Sequence, residues 1–407
     1  MQSIFPRQIL FAAFAIAAAA SFLLCGYECI RAVSDSLFIG AYGAENLPWV
    51  MAAVFPGVYL MIFLYGRLLS WVGANRALLV TSLLSGVMIL SAYGLILKGF
   101  PIATAIIYVF REAYIVLIIE QYWAFVNSTL SPIQARRING PFCGLASLGS
   151  VAGGFLAGHL AGRLGSATLL IFTAVSLLPA AACSAAAYAF AGTPQPSEAE
   201  RGGKLGHTGL RVLFQSRYLL FIGLLVITTQ IVSTVLDLRF KGLIEFEIPE
   251  IDERTAFIGN FYGTLGAVAA TLQFAATPLL LRFVPIRIVH LAIPIIHLLT
   301  CSVLTASPSL WISAAAFLVF KGLDYSIFRA AKEIFYIPLP FDARYRAKQI
   351  IDSFGYRSAK SGSAFVIALT RLPASAFSLT AIISVTIWSG IVSNLTTQYQ
   401  KVEKTQD

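Results

Sequence analysis

Long apolar stretches separated by short polar connections run through most of this sequence. Twelve of them reach helical length, at 8–33, 46–66, 77–97, 102–130, 141–162, 167–191, 217–240, 256–281, 287–306, 309–338, 348–370 and 374–397. A helix crosses the hydrocarbon core of a bilayer with about 20 apolar residues, whereas a membrane β-strand needs only about 10 and alternates. These stretches are longer and uniformly apolar, so the pattern predicts an all-α membrane protein with twelve transmembrane helices. The longest polar segment, 192–216, is rich in Gly, Pro, Ser and charge. It divides the chain into two six-helix halves, 1–191 and 217–407, with the segment itself as a linker loop. The shorter run GRLLSWVGANR (66–76) reads as the connection between the second and third helices. The first stretch has no convincing cleavage site after Ala20 and carries Glu28, Arg31 and Asp35 at its far end. It is expected to be a retained helix.

Composition sharpens this picture. Of 407 residues, 58% are hydrophobic and only 12% charged, against about 25% charged in soluble domains. The spans use up nearly the whole chain, which excludes a soluble enzyme or a secreted disulfide scaffold. No GxxxxGK[ST] phosphate loop occurs, so no ATPase motor is expected. Cys25, Cys29, Cys143, Cys183 and Cys301 lie in apolar stretches with no completing metal ligands, and the four histidines do not cluster. No metal and no cofactor are expected.

The net charge of +10 would suggest nucleic acid in a soluble protein. In a membrane protein, Lys and Arg gather in cytoplasmic loops. Arg7, Arg67 and Arg76, Arg136 and Arg137, Arg201, Lys204, Arg211 and Arg217, Arg282 and Arg287, Arg344, Arg346 and Lys348, and Lys401 and Lys404 all fall on one side. The other side carries Lys98, Arg163, Lys241, Arg254 and Arg371. The bias places both termini and the central loop in the cytoplasm of a bacterial inner membrane, with no need for nucleic acid.

The informative charges lie inside the helices, where each costs roughly 2.5–3.5 kcal/mol unless it meets a partner or a wet cavity. The first helix carries Glu28, Arg31 and Asp35; the fourth Arg111, Glu112 and Glu120; the seventh Asp237, Arg239 and Lys241. The tenth carries Lys321, Asp324, Arg329, Lys332 and Glu333, and the eleventh Asp352, Arg357 and Lys360. Helices 1, 4, 7 and 10 recur every third span. A major facilitator-type transporter is built from three-helix units in two six-helix halves, with the first helix of each unit on the central cavity. Basic and acidic side chains nearly balance, so two readings stand: the charges pair and lock the helices, or an arriving anion takes over several cations. Candidate solute-binding residues are Arg31, Glu112, Asp237, Arg239, Lys241, Lys321, Lys332, Glu333, Arg357 and Lys360. Candidate proton carriers are Glu28, Glu112, Asp237 and Glu333. Tyr27, Tyr114, Tyr122, Trp123, Tyr325 and Tyr336 lie near these charges, either to stack a base or as ordinary packing. Gly149, Gly153, Gly154, Gly158 and Gly162 repeat at the spacing of close helix packing.

Three places resemble one family, the ATP/ADP translocases, or nucleotide transporters, of plastids and obligate intracellular bacteria. Lys321, Tyr325-Ser326, Phe328, KEIFYIPL (332–339), Ala347-Lys348, Asp352, Arg357 and Lys360-Ser361-Gly362 are similar to its KYSLFDPTKEMAYIPL segment with downstream GKAAID and R-x-x-KSG elements. DLRFKGL (237–243) and AFIGNFYG (256–263) resemble EVTWK and AFMGNF. Arg31 with Asp35 and GAENLPW (43–49) resemble RDTKD and GAEVIPF, and WAFVN (123–127) adds support. The resemblance implies a major-facilitator-like fold and nucleotide exchange, commonly cytosolic ADP for external ATP. It implies that Asp237 stands for a glutamate of the seventh helix and that Glu112 is the nearest candidate for one of the fourth. Lys241, Lys332 and Lys360 match lysines of the family. Ser34 falls where the family has a functional lysine, which implies fewer phosphates or a different anion.

The expectation is therefore a secondary transporter of an anionic, nucleotide-like solute, monomeric and working by alternating access in the bilayer. Proton-coupled movement of another organic anion, such as a phosphorylated metabolite or a carboxylate siderophore, is the alternative. A non-transporting scaffold or receptor is the third reading.

Overall fold

The structure is a computed structural model that describes residues 7–129, 132–192, 216–339, 348 and 350–404. Within helices, the side chains of 69–70, 72–75, 77–78, 117–124, 126–129, 132–143, 353, 374 and 402–404 are not described. The expected linker loop, apart from its end residues Gly192 and Ser216, lies outside the described residues.

The described chain is almost wholly helical. The spans are α1 (Arg7–Tyr42), α2 (Ala44–Leu68), α3 (Leu79–Leu97), α4 (Ile102–Thr129), α5 (Pro132–Leu164), α6 (Leu169–Ala191), α7 (Arg217–Glu247) and α8 (Ile251–Phe283). They continue with α9 (Ile286–Ala306), α10 (Leu310–Ile334), α11 (350–370) and α12 (Ala374–Lys404). Ten segments among the described residues are long and apolar enough to cross a membrane. α4 and α11 complete the twelve. Large apolar side chains such as Leu60, Leu83, Val87, Leu299 and Ile383 lie exposed on the helix surfaces, as a lipid-facing surface requires.

The connection expected at 66–76 is helical instead: helical backbone runs unbroken over Leu47–Leu97. Met61, Leu64, Leu68 and Trp71 nevertheless share one cavity with Thr81, Leu84 and Met88. A straight helix would separate Met61 from Met88 by about 40 Å, so the chain doubles back within this stretch.

Packing sorts the chain into two compact units. The first comprises Met1–Gly43, Pro56–Lys204 and Ile248–Ala267, and the second Ala44–Phe55, Leu205–Glu247 and Val268–Asp407.

In the first unit, α1 is the central element. Ala12, Ile16 and Ala19 pack with Phe125, Ala187 and Tyr188, the Phe125 and Tyr188 rings meeting edge-on at 4.8 Å. The glycine series of α5 does what its spacing predicts. A Cβ at Gly149 or Gly153 would run into the α1 backbone at Ser21 or Cys25. A Cβ at Gly154 would meet the backbone of Gly263 on α8, and one at Gly158 the Asn260 side chain. The start of α8 is fastened to this unit by polar groups. Asp252 accepts from the Ser166 backbone N–H at 2.7 Å and from its hydroxyl at 2.6 Å. Arg254, 3% exposed, donates to the carbonyls of Ile248 and Pro249 at 3.0 and 2.8 Å and to that of Ser36 at 3.4 Å.

In the second unit, α7 is central and packs against α10, α11 and α12. Phe320, Phe328, His297 and Trp388 form one ring cluster. The Tyr218 hydroxyl donates to the Phe335 carbonyl at 2.9 Å. The Ser309 hydroxyl caps α10 by accepting from Ile312 N–H at 3.3 Å. Within α10 the helix widens to a π-turn at Asp324–Phe328, a feature that often marks functional sites.

Candidate functional site

The buried charges fall into separate groups within the two units. In the first unit the centre is Arg111 on α4, only 2% exposed. Its Nη2 donates to Asp35 Oδ1 at 2.8 Å, and its Nη1 donates to Ser34 Oγ at 2.6 Å and to the Arg31 carbonyl at 2.7 Å. Asp35 and Ser34 are fully buried. The Arg111 guanidinium lies 3.9 Å from the centre of the Tyr108 ring, one turn earlier on α4, and Glu112 approaches its Nε at 3.5 Å. This arrangement satisfies a charge that would otherwise be very costly in the membrane interior.

Arg31 is one turn away on α1. Its guanidinium stacks on the Tyr262 ring at 3.6 Å and reaches Glu28 at 3.5 Å. Glu28 also accepts from the Ser150 hydroxyl of α5 at 2.8 Å. The Tyr262 hydroxyl faces Asp35 at 3.5 Å. Two cations are thus held among three acids, hydroxyls and ring faces.

Ser34, where the resemblance implies a lysine, accepts from Arg111 and donates to the Ile30 carbonyl at 2.6 Å. It lies beside the Arg111 guanidinium, so Arg111 already places a positive charge at this position.

In the second unit Asp237 and Lys241 form an i, i+4 pair on α7, with Lys241 Nζ 3.1 Å from Asp237 Oδ1, both buried. Lys321, 4% exposed, reaches Asp324 at 3.6 Å and lies 5.2 Å from the Tyr325 ring centre. Tyr356 is within electrostatic reach of Lys321, Asp324 and Lys360. Lys332 pairs with Asp352 across α10 and α11, and Lys348 pairs with Glu333. The Tyr336 hydroxyl faces Asp352 at 3.4 Å. The sequence candidates Lys321, Lys332, Glu333 and Lys360 thus have charged or aromatic neighbours that join α10 to α11. Arg357 follows on the first turn after the Ile350–Gly355 segment.

One candidate is separated from the rest. Arg239 lies two residues from both Asp237 and Lys241, about 200° round the helix. It points into a different cavity, shared with Trp49 and Arg371.

Tyr108, Tyr262 and Ser150 are the contacts that reading the sequence missed. Tyr108 could have been found from its i, i−3 spacing to Arg111. Of the aromatic candidates, Tyr27 lies 5.9 Å from Arg31 and Tyr114 is buried in the core. The side chains of Tyr122, Trp123 and Glu120 lie outside the described residues, as does that of Cys143. Cys25, Cys29, Cys183 and Cys301 are free thiols, and Cys29 donates to the Gly153 carbonyl at 3.4 Å. No metal-holding cluster occurs among the described residues.

The fold is similar to several solved transporters. It aligns with a bacterial homologue of the iron transporter ferroportin in an inward-facing state at a TM-score of 0.71 and 14% identity, over 95% of this chain and 98% of that one. It aligns with the POT family transporter PepTSo at 0.64 and 15% identity, over 98% and 99%. For the nucleoside transporter NupG the values are 0.63 and 12%, over 97% and 99%. Among the described residues there are twelve helical segments with paired charges buried in them, and this likeness gives a multi-pass membrane protein with a major facilitator-type fold.

Within that class the sequence is specific. The model of the TLC ATP/ADP transporter family matches residues 196–307 and 289–404, together just over half the chain. The chain belongs to this family. It is 25% identical over 174 residues to ADP,ATP carrier protein 1 of Chlamydia pneumoniae, covering 38% of this chain and 34% of that protein. It is 25% identical over 178 residues to the protein of the same name from Rickettsia prowazekii (strain Madrid E), covering 39% and 36%. It is 24% identical over 178 residues to the chloroplastic ADP,ATP carrier protein 1 of Arabidopsis thaliana, covering 39% and 28%. The matches thus span about a third of the length of these curated relatives.

Proposed function

We propose that this protein is a secondary transporter that moves an anionic, nucleotide-like solute across a bacterial inner membrane by alternating access, in an ATP/ADP type of exchange. It acts as a monomer, with both termini in the cytoplasm and the halves 1–191 and 217–407 joined by the loop 192–216. The observation that carries the reading is the pair Arg31 and Arg111: two cations on membrane helices, seated on tyrosine rings and held by carboxylates that an anion can displace. Lys321, Lys332 and Lys360 supply further positive charge on α10 and α11, with Tyr325 and Tyr336 beside it. Asp237–Lys241, Lys332–Asp352 and Lys348–Glu333 are closed ion pairs. Exchanging an internal carboxylate for a solute phosphate gives binding a means of loosening one helix contact and tightening another. The protein is not an enzyme in this reading.

The second reading, proton-coupled transport of another organic anion, draws on Ser34. Without a lysine there, the positive charge at this position comes from Arg111, which Asp35 already engages. Glu28, Glu112, Asp237 or Glu333 would then carry the proton.

Reconstitution in liposomes tests both. Uptake of labelled ATP, ADP or NAD that depends on internal counter-substrate is expected. Absence of uptake for every nucleotide, together with no thermal shift in millimolar ATP, would overturn the nucleotide reading. Uptake driven by a pH gradient without counter-substrate would select the second.

A further inference from the structure

A cavity of about 770 Å³ opens in the second unit where α7 ends and α11 turns into α12. Glu45, Asn46 and Trp49 line it from the start of α2, Arg239 and Glu245 from α7, and Arg371 from the turn. Its walls come from the GAENLPW and DLRFKGL segments, and the first of these has no part in the function proposed above.

The cations of this cavity are unlike those of the charge groups. Among the described residues neither Arg239 nor Arg371 has a hydrogen bond or ion pair, and the Arg239 Nε is buried without any acceptor. The carboxylates do not serve them. Glu245 accepts instead from the Ala44 backbone N–H at 3.1 Å, and Glu45 is exposed and outside ion-pairing distance of either arginine. A partly buried guanidinium without an acceptor is costly unless a ligand completes it. Arg239 is the partly buried one, and Arg371 adds an exposed second guanidinium to the same cavity; together they call for a group with two negative charges and several acceptor oxygens, and the planar guanidinium donors match phosphate.

We infer that this cavity is a second, phosphate-recognising site, distinct from the Asp237–Lys241 face of α7. Arg239 and Arg371 clamp the phosphate, and Trp49 with Phe246 packs the group that carries it. Two sources share this chemistry: a soluble phosphate ester such as a nucleoside diphosphate, and the head group of a doubly charged phospholipid. Trp49 and Phe246 are both exposed at the helix ends, where interfacial aromatic residues meet lipid head groups. A nucleotide fits the same volume.

The test uses the full-length protein purified in detergent and in nanodiscs. Binding of labelled pyrophosphate and ADP is measured in detergent, and retention of diphosphatidylglycerol from nanodiscs is measured by native mass spectrometry. Arg371→Gln, on an exposed side chain, and Arg239→Gln are each expected to weaken one of these ligands by about tenfold or more, the loss of one charge-assisted contact. Arg239→Lys is expected to keep part of the affinity. Loss in the soluble arm identifies a free phosphate ester, and loss in the lipid arm a lipid head group. If Arg371→Gln keeps its melting temperature and both ligands bind as to the unaltered protein, the site is overturned. Lys332→Gln separates this from the transport reading, because it is expected to lose uptake and keep ligand binding at the arginine cavity.

Discussion

Arg111 on α4 and Asp35 on α1 are joined by a 2.8 Å hydrogen-bonded ion pair with both side chains sealed from solvent. Removing one partner leaves an uncompensated charge, which costs about 3–5 kcal/mol in buried pairs. Arg111→Gln and Asp35→Asn should each lower the melting temperature in detergent markedly. The double variant should lose clearly less than the sum of the two. Strict additivity would show that the pair is not a coupled unit.

Ser34 tests what the missing lysine means. Ser34→Ala removes an acceptor of Arg111 and should cost about 1–2 kcal/mol of stability. Ser34→Lys places an ammonium against the Arg111 guanidinium and should destabilise more than alanine does. A Ser34→Lys protein more stable than the unaltered one would mean that Arg111 does not fill this position.

The α5 glycines are separable by their neighbours. Gly154→Val drives side-chain atoms into the α8 backbone and should cost about 1–3 kcal/mol or more. Gly162 has nothing within 4 Å of an added Cβ, and Gly162→Ala should be neutral or slightly stabilising through helix propensity. Thermal unfolding of both checks the contrast.

Lys332→Gln should abolish nucleotide uptake while expression persists, because it leaves Asp352 without its partner and takes one cation from the α10–α11 group. Exchanging the charges, Lys332→Asp with Asp352→Lys, should restore the melting temperature without restoring uptake. Full uptake by Lys332→Gln would make this pair a structural link only.

The helices and their charges were legible because both are local properties. Twenty apolar residues announce a span wherever they occur, and a charge within one stands out, so Arg31, Asp35 and Arg111 were visible before any coordinates. Which face each charge takes was only half legible. Arg239 was grouped with Asp237 and Lys241 by proximity in sequence, although two helical steps set it on the opposite side. Contacts between distant segments were not legible. Gly259 and Gly263 are visible as small residues, but nothing near them in sequence says that their partner is the glycine face of α5. The stacking of Arg31 on Tyr262 follows from that same contact. The place of the 66–76 connection was legible from its glycines and arginines, but its helical backbone was not, because the apolar residues between them suit a helix as well as a loop.

The assignment of Ile248–Ala267 to the first unit bears on how the protein is made. A ribosome adds about 5–20 residues per second. The glycine face of α5 therefore waits several seconds, while roughly a hundred further residues are added, before its partner on α8 exists. During that interval the nascent unit holds an open seam in the lipid, and a chain interrupted before residue 267 would leave it open. Such truncated products should be preferred prey for membrane proteases, even though every helix upstream of the break is intact.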